Sequence, residues 1–138
     1  MEADKPPDAA LVARAVEAAQ RARDRAYAPY SNYAVGAAVV AGPEIFSACN
    51  VENASYGASI CAERAAVFST VAAGRREIDG IAIVTDAEPP SFPCGQCRQV
   101  LHEFNPRMWV AVSGRLGKPR LSRLNELFPH PFGPTDLE

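Results

Sequence analysis

Cys61-Ala62-Glu63-Arg64, followed by Pro93-Cys94-Gly95-Gln96-Cys97, constrains this chain more than any other feature. If the three cysteine sulfurs share one ion, two distant stretches of chain must fold onto one point. Zinc in structural sites takes four protein ligands, whereas catalytic zinc keeps one position open for water. Three cysteines with a carboxylate two residues past the first therefore read as a catalytic zinc, with Glu63 moving the protons. Two other readings stay open on these residues alone: a structural zinc and a redox dithiol. A structural ion would need a fourth ligand from Cys49, His102 or His130. Cys49 precedes Asn50 on an expected strand and reads as a small buried hydrophobe. His102 falls on an expected helix, directed away from a ligand at that helix's start. His130 stands between two prolines, where a turn is expected.

At 138 residues the chain fits a single domain over 1–138, with 1–7 expected to be disordered. Apolar residues make up 48% and charged residues 22%, the balance of a globular chain that can bury a core. A net charge of −2 argues against a nucleic-acid partner, which calls for a basic stripe. The run Arg21, Arg23, Arg25 is broken by Asp24 and reads as a solvated helix face. No apolar stretch approaches the roughly 20 residues of a membrane span, so no membrane partner is expected. The start, Met-Glu-Ala-Asp-Lys-Pro-Pro, lacks a signal-peptide pattern. Four cysteines, three of them best used as thiolates, fit a reducing cytoplasm better than a disulfide framework.

Asp8 is placed to cap a helix over 9–27, whose alanines suit close packing. After the loop Tyr30-Ser31-Asn32, residues 33–40 read as a strand, since Val35, Val39 and Val40 favour pleated structure. Gly42-Pro43 signals a turn, and 45–51 the return strand of a hairpin. A polar stretch leads into a helix over 61–73, ended by Gly74. Ile81-Ala82-Ile83-Val84 is a short continuous apolar run, as in a strand covered on both faces. A helix over 95–104, a strand over 108–112, a short helix near 121–127 and an irregular proline-bearing tail complete the chain. Helices and strands alternate, so the expected class is α/β: a three-layer α/β/α sandwich with one mixed sheet of about five strands.

Cys61 and Cys94 each fall where a helix begins, and the positive dipole end there favours the thiolate that zinc needs. Cys97, about one turn beyond Cys94, returns to the same side. Three thiolates on one divalent ion leave a negative site, which a nearby cation offsets. Arg64 and Arg98 are the adjacent candidates to hydrogen-bond cysteine sulfur, with Arg64 preferred. Asn50 and Glu52 alternate along an extended segment and face one side. An amide and a carboxylate so placed suit a vicinal diol, or simply the solvation of a strand edge.

Tyr30-Ser31-Asn32-Tyr33-Ala34-Val35-Gly36-Ala37-Ala38 resembles the opening of cytidine deaminases, and Asn50-Val51-Glu52-Asn53-Ala54-Ser55-Tyr56 a further segment of theirs. Cys61-Ala62-Glu63-Arg64 with Pro93-Cys94-Gly95-Gln96-Cys97-Arg98-Gln99-Val100-Leu101 is similar to their zinc core, a signature in which the glutamate is the acid/base and not a ligand. Leu127 through Leu137, with Phe132-Gly133-Pro134 and Asp136-Leu137, looks like their C-terminus. The likeness covers nearly everything from residue 11 onward. In combination these motifs are specific to the small homotetrameric branch with three cysteine ligands.

The resemblance implies hydrolytic deamination of cytidine and 2′-deoxycytidine to the uridines with release of ammonia, a step of pyrimidine salvage, with one Zn2+ per chain. It implies Cys61, Cys94 and Cys97 as metal ligands and Glu63 as the residue that protonates ring nitrogen 3 and then the leaving amino group. Asn50 and Glu52 would hold the ribose 3′-hydroxyl, and the Ala62 N–H the 2-keto oxygen. Residues matching Ala54 and Tyr56 reach the sugar, and Phe132 stacks on the base, each from neighbouring subunits of a homotetramer. Tyr33 departs from the phenylalanine usual against the base, and a buried phenol needs a partner for its hydroxyl. Three rivals remain: a deaminase acting on nucleic acid, one acting on a nucleoside antibiotic, and a zinc-stabilised binding module. Cys61 and the acidic balance disfavour the first, Asn50, Glu52 and the Phe132 tail the second, and Glu63 the third.

Overall fold

The Asp8 carboxylate accepts a hydrogen bond from the Ala10 N–H at 3.2 Å and starts the first helix, α1 (Ala9–Arg23). The structure is a computed structural model describing residues 5–115 and 118–138. Of the start expected to be disordered, residues 1–4 lie outside the described residues. Two strands follow α1, β1 (Gly36–Ala41) and β2 (Glu44–Cys49), joined at Gly42, whose φ of 61° suits a residue without a side chain. Helix α2 (Ala62–Ala72), strand β3 (Gly80–Val84), helix α3 (Gly95–Phe104) and strand β4 (Trp109–Ser113) come next. Strand β5 (Arg120–Arg123) and the single turn α4 (Leu124–Leu127) precede the tail.

The strands form one sheet in the order β2-β1-β3-β4-β5. β3 and β4 are parallel and connected through α3, while the other neighbours are antiparallel. The mixed five-stranded sheet between helix layers matches the architecture expected from the sequence. Period-two alternation divides the core. Ala38, Val40, Ala82, Val84 and Ala111 face α1, packing against its Val12, Ala15, Ala18 and Ala19. Ala37, Val39, Ile81, Ile83, Val110 and Val112 face the other way, onto Ala62, Ala66 and Val67 of α2 and Leu101 of α3. Trp109 apart, small residues fill the first layer and larger ones the second, so α1 lies close to the sheet.

Several elements differ from the sequence-based expectation: β1 starts at Gly36 rather than 33, β2 ends at Cys49 rather than 51, and Pro134–Leu137 of the tail winds into a 3-10 turn. Helix α1 ends at Arg23 rather than reaching 27, because the Tyr27 N–H donates to the Asn50 carbonyl and the Glu52 N–H to the Tyr27 carbonyl. Residues 120–123, expected within a helix near 121–127, pair with β4 as an edge strand. Backbone pairing with an open sheet edge overrides the weak helical pattern, and only one turn remains after it.

Candidate active site

Cys61 is the residue before α2 and Cys94 the residue before α3, each in extended backbone and neither making a side-chain capping bond. Their thiols are therefore available to point at one ion from two helix starts. Cys97, in the first turn of α3 and fully buried, completes the group. The sulfurs of Cys61 and Cys94 are 3.9 Å apart, those of Cys94 and Cys97 3.5 Å, and all three lie within 4.8 Å of one another. Thiolates bound to a tetrahedral zinc at ~2.3 Å stand about 3.8 Å apart. The donor set and its spacing fit zinc. Among the described residues no fourth acid, histidine or cysteine joins this group. His102 packs edge-on against Phe128, His130 is exposed, and Cys49 sits in a groove between α1 and β2.

Arg64, one turn into α2, donates from its Nη2 to Cys61 Sγ at 3.3 Å. Arg98 does not reach the sulfurs. Its Nε donates to the Pro93 carbonyl and its Nη1 to the Leu127 carbonyl, fastening the start of α3 to the tail. A hydrogen bond from Cys97, with the Arg64 guanidinium adding to it, lowers the Cys61 thiol to about 5. Cys97, hydrogen-bonded to Cys61 and buried, is pushed far upward.

Glu63 is only 6% exposed, and burial raises its carboxyl to about 7. Such a group holds or gives up a proton near neutral pH, as a general acid or base requires. It lines a cavity of about 440 Å³ together with Cys61, Ala62, Arg64 and Cys94. That volume lies within the usual range for small-molecule sites.

Tyr33, Asn50, Glu52 and Tyr56 line the same cavity. The Asn50 amide is already engaged: its Oδ1 accepts from the Val35 N–H at 2.9 Å and its Nδ2 donates to the Tyr33 carbonyl at 2.8 Å. The Glu52 carboxylate accepts from the Tyr30 and Ser31 N–H groups at 2.9 and 3.1 Å and from the Ser31 hydroxyl. The Ser31 hydroxyl is the chief cause holding its carboxyl below the ordinary value. An amide has one further donor and acceptor to offer, and a carboxylate a further lone pair. Tyr56 stands at the rim, 75% exposed, edge-on to Tyr30. Ala54 and Phe132 are exposed and do not line the cavity of their own chain; the Phe132 carbonyl accepts from Gln99 Nε2.

Sequence reasoning did not single out Thr85, Ser91 and Phe92, which also line the cavity. Ser91 and Phe92 stand just ahead of Cys94, in a stretch that reads as a plain connector, and Thr85 directly follows β3. Tyr33 is 39% exposed rather than buried, and its hydroxyl lies 2.7 Å from that of Ser91.

The model of the cytidine and deoxycytidylate deaminase zinc-binding region matches residues 9–113. A cytidine deaminase of Sporosarcina psychrophila is 40% identical over 128 residues, spanning 91% of this chain and 94% of that protein. The crystal structure of cytidine deaminase from Burkholderia pseudomallei superposes with a TM-score of 0.83 at 46% identity, covering 87% of this chain and 98% of that one. The structure of cytidine deaminase from Mycobacterium tuberculosis does so with a TM-score of 0.75 at 36% identity, over 88% and 96% of the two chains. Three clustered thiols beside a buried acid, within likenesses that span most of the chain, place it in the cytidine and deoxycytidylate deaminase family, whose zinc-binding region it carries.

Proposed function

We propose that this chain is an enzyme that hydrolyses cytidine and 2′-deoxycytidine to uridine and 2′-deoxyuridine, releasing ammonia. The observation that carries this reading is the buried Glu63 carboxyl lining the cavity beside three sulfurs within 4.8 Å of one another. Cys61, Cys94 and Cys97 would hold a zinc ion, which would supply the Lewis-acid chemistry that acidifies a water. Glu63 takes a proton from the attacking water and passes it to ring nitrogen 3. It then delivers the second proton to the amino group that leaves as ammonia, so carbon 4 exchanges nitrogen for oxygen. The Ala62 N–H, at the start of α2, binds the 2-keto oxygen. Asn50 and Glu52 hold the ribose 3′-hydroxyl, and Tyr33 contacts the base. Arg64 keeps Cys61 as thiolate and offsets the negative charge of the ligand set.

Ala54, Tyr56 and Phe132 we assign to sites shared between subunits of a homotetramer. Their exposure, and the place of Ala54 and Phe132 outside their own chain's cavity, support that assignment. Four free cysteines accord with a reducing cytoplasm. No helix among the described residues is long and apolar enough to cross a membrane.

The test is loss of the cytidine absorbance band on mixing with purified protein, with zinc measured in the same sample. Turnover with one zinc per chain is the expected result. Glu63→Gln keeps the metal and lowers turnover by roughly 10²–10⁴-fold, the usual share of general acid–base catalysis. Unchanged turnover in that variant would sink the proton path described here.

A further inference from the structure

The segment from Thr85 to Pro93 joins β3 to the first ligand of α3 and forms one wall of the cavity through Thr85, Ser91 and Phe92. Its outer side is fixed to the fold. Asp86 pairs with Arg23 of α1 and, at 3.5 Å, with Arg115. The Arg120 guanidinium lies 5.5 Å from the centre of the Phe92 ring. Its inner side is tied through Ser91, whose Oγ lies 2.7 Å from the Tyr33 hydroxyl, an ordinary length for a bond between two hydroxyls.

Tyr33 belongs to the opposite wall, and its backbone organises that wall. The Tyr33 carbonyl accepts from Asn50 Nδ2, and the Tyr33 N–H donates to the Ser31 hydroxyl oxygen at 3.0 Å. That hydroxyl in turn donates to Glu52. One tyrosine therefore connects the segment that runs into Cys94 with both side chains assigned above to the sugar.

We propose that Ser91 is a positioning residue: through the Tyr33 hydroxyl it holds Asn50 and Glu52 at a set distance from the metal ligands and so tunes affinity for the nucleoside. The proposal rests on the nucleoside reading above. Neither hydroxyl lies on the proton path assigned to Glu63, so its loss falls on KM and leaves kcat nearly intact. Removing the tie also leaves the two walls to be ordered by the substrate, and that ordering weakens binding.

Steady-state kinetics with cytidine on the zinc-loaded full chain test this through Ser91→Ala, Tyr33→Phe, the double variant and Ser91→Thr. Each of the first two should raise KM roughly three- to tenfold, the range of one net hydrogen bond, with kcat within about twofold. The double variant should match either single one, because both remove the same interaction. Ser91→Thr, which keeps the hydroxyl, should restore KM. Single effects that multiply in the double variant, or a Ser91→Ala KM equal to wild type, overturn the proposal. Tyr33→Phe removes only one oxygen and gives the same reading should Ser91→Ala fail to fold, an unchanged KM again overturning it. A wild-type chain that does not turn over cytidine defeats the nucleoside reading and this proposal with it, a result distinct from normal turnover with additive effects.

Discussion

Glu63 is under two demands at the residue scale. It must sit beside a metal site that is open to solvent at Cys94, and its own burial favours its neutral form, raising its carboxyl to about 7. The folded zinc-free chain therefore holds the Glu63 proton more tightly than the unfolded chain does. Stability falls as pH rises between the ordinary glutamate value and about 7, because the unfolded chain releases that proton first. Glu63→Gln has no proton to lose. In urea titrations of zinc-free protein, the glutamine variant should gain about 2 kcal/mol relative to wild type between about pH 5 and about pH 7.5. Parallel pH profiles for the two proteins would show that the carboxyl titrates normally. This acid, the three thiols and Arg64 were all legible in the sequence, because C-A-E-R and P-C-x-x-C each place several groups within one helical turn. Ser91 was not, since a single serine in a loop carries no pattern and its partner lies 58 positions away.

Elements show where tertiary structure overrides local preference. The strands with continuous apolar runs, β3 and β4, fall close to where their composition predicts, as do both helices that begin at a cysteine. The edge strand β5 was not legible, because Arg-Leu-Ser-Arg gains its conformation only by pairing with β4. Helix α1 stops early for a related reason: the chain around Tyr27 is drawn into bridges with residues 50–52. The close seat of α1 on the sheet rests on Gly36, where an added Cβ would lie 1.8 Å from the Ala19 carbonyl oxygen. That atom is backbone and cannot swing aside, so Gly36→Ala must push α1 outward. Such overpacking costs about 1–3 kcal/mol. Urea denaturation of the zinc-loaded variant should show that loss, and wild-type stability would mean that α1 has room the packing does not reveal.

Over the whole molecule, large apolar side chains remain at the surface: Tyr56, Phe68, Phe132 and Leu137 are each at least half exposed. The shared site proposed above would give these surfaces a use, and it makes a specific claim about activity. Glu63→Gln chains lack the proton carrier, and Phe132→Ala chains lack the ring we assign to a neighbour's base. Refolded together in equal amounts, they should recover about a quarter of wild-type turnover in a closed symmetric assembly, since some sites then combine both intact groups. Activity no greater than the sum of the separate variants would mean that Phe132 serves its own chain. The sulfurs of Cys61 and Cys94 meet although 33 positions separate them. An ion bound there acts as a staple across that length of chain, and closing such a loop removes freedom chiefly from the unfolded ensemble. Loss of the metal would then loosen the fold as well as remove the water-activating ion, so stability and activity would rise and fall together with zinc supply.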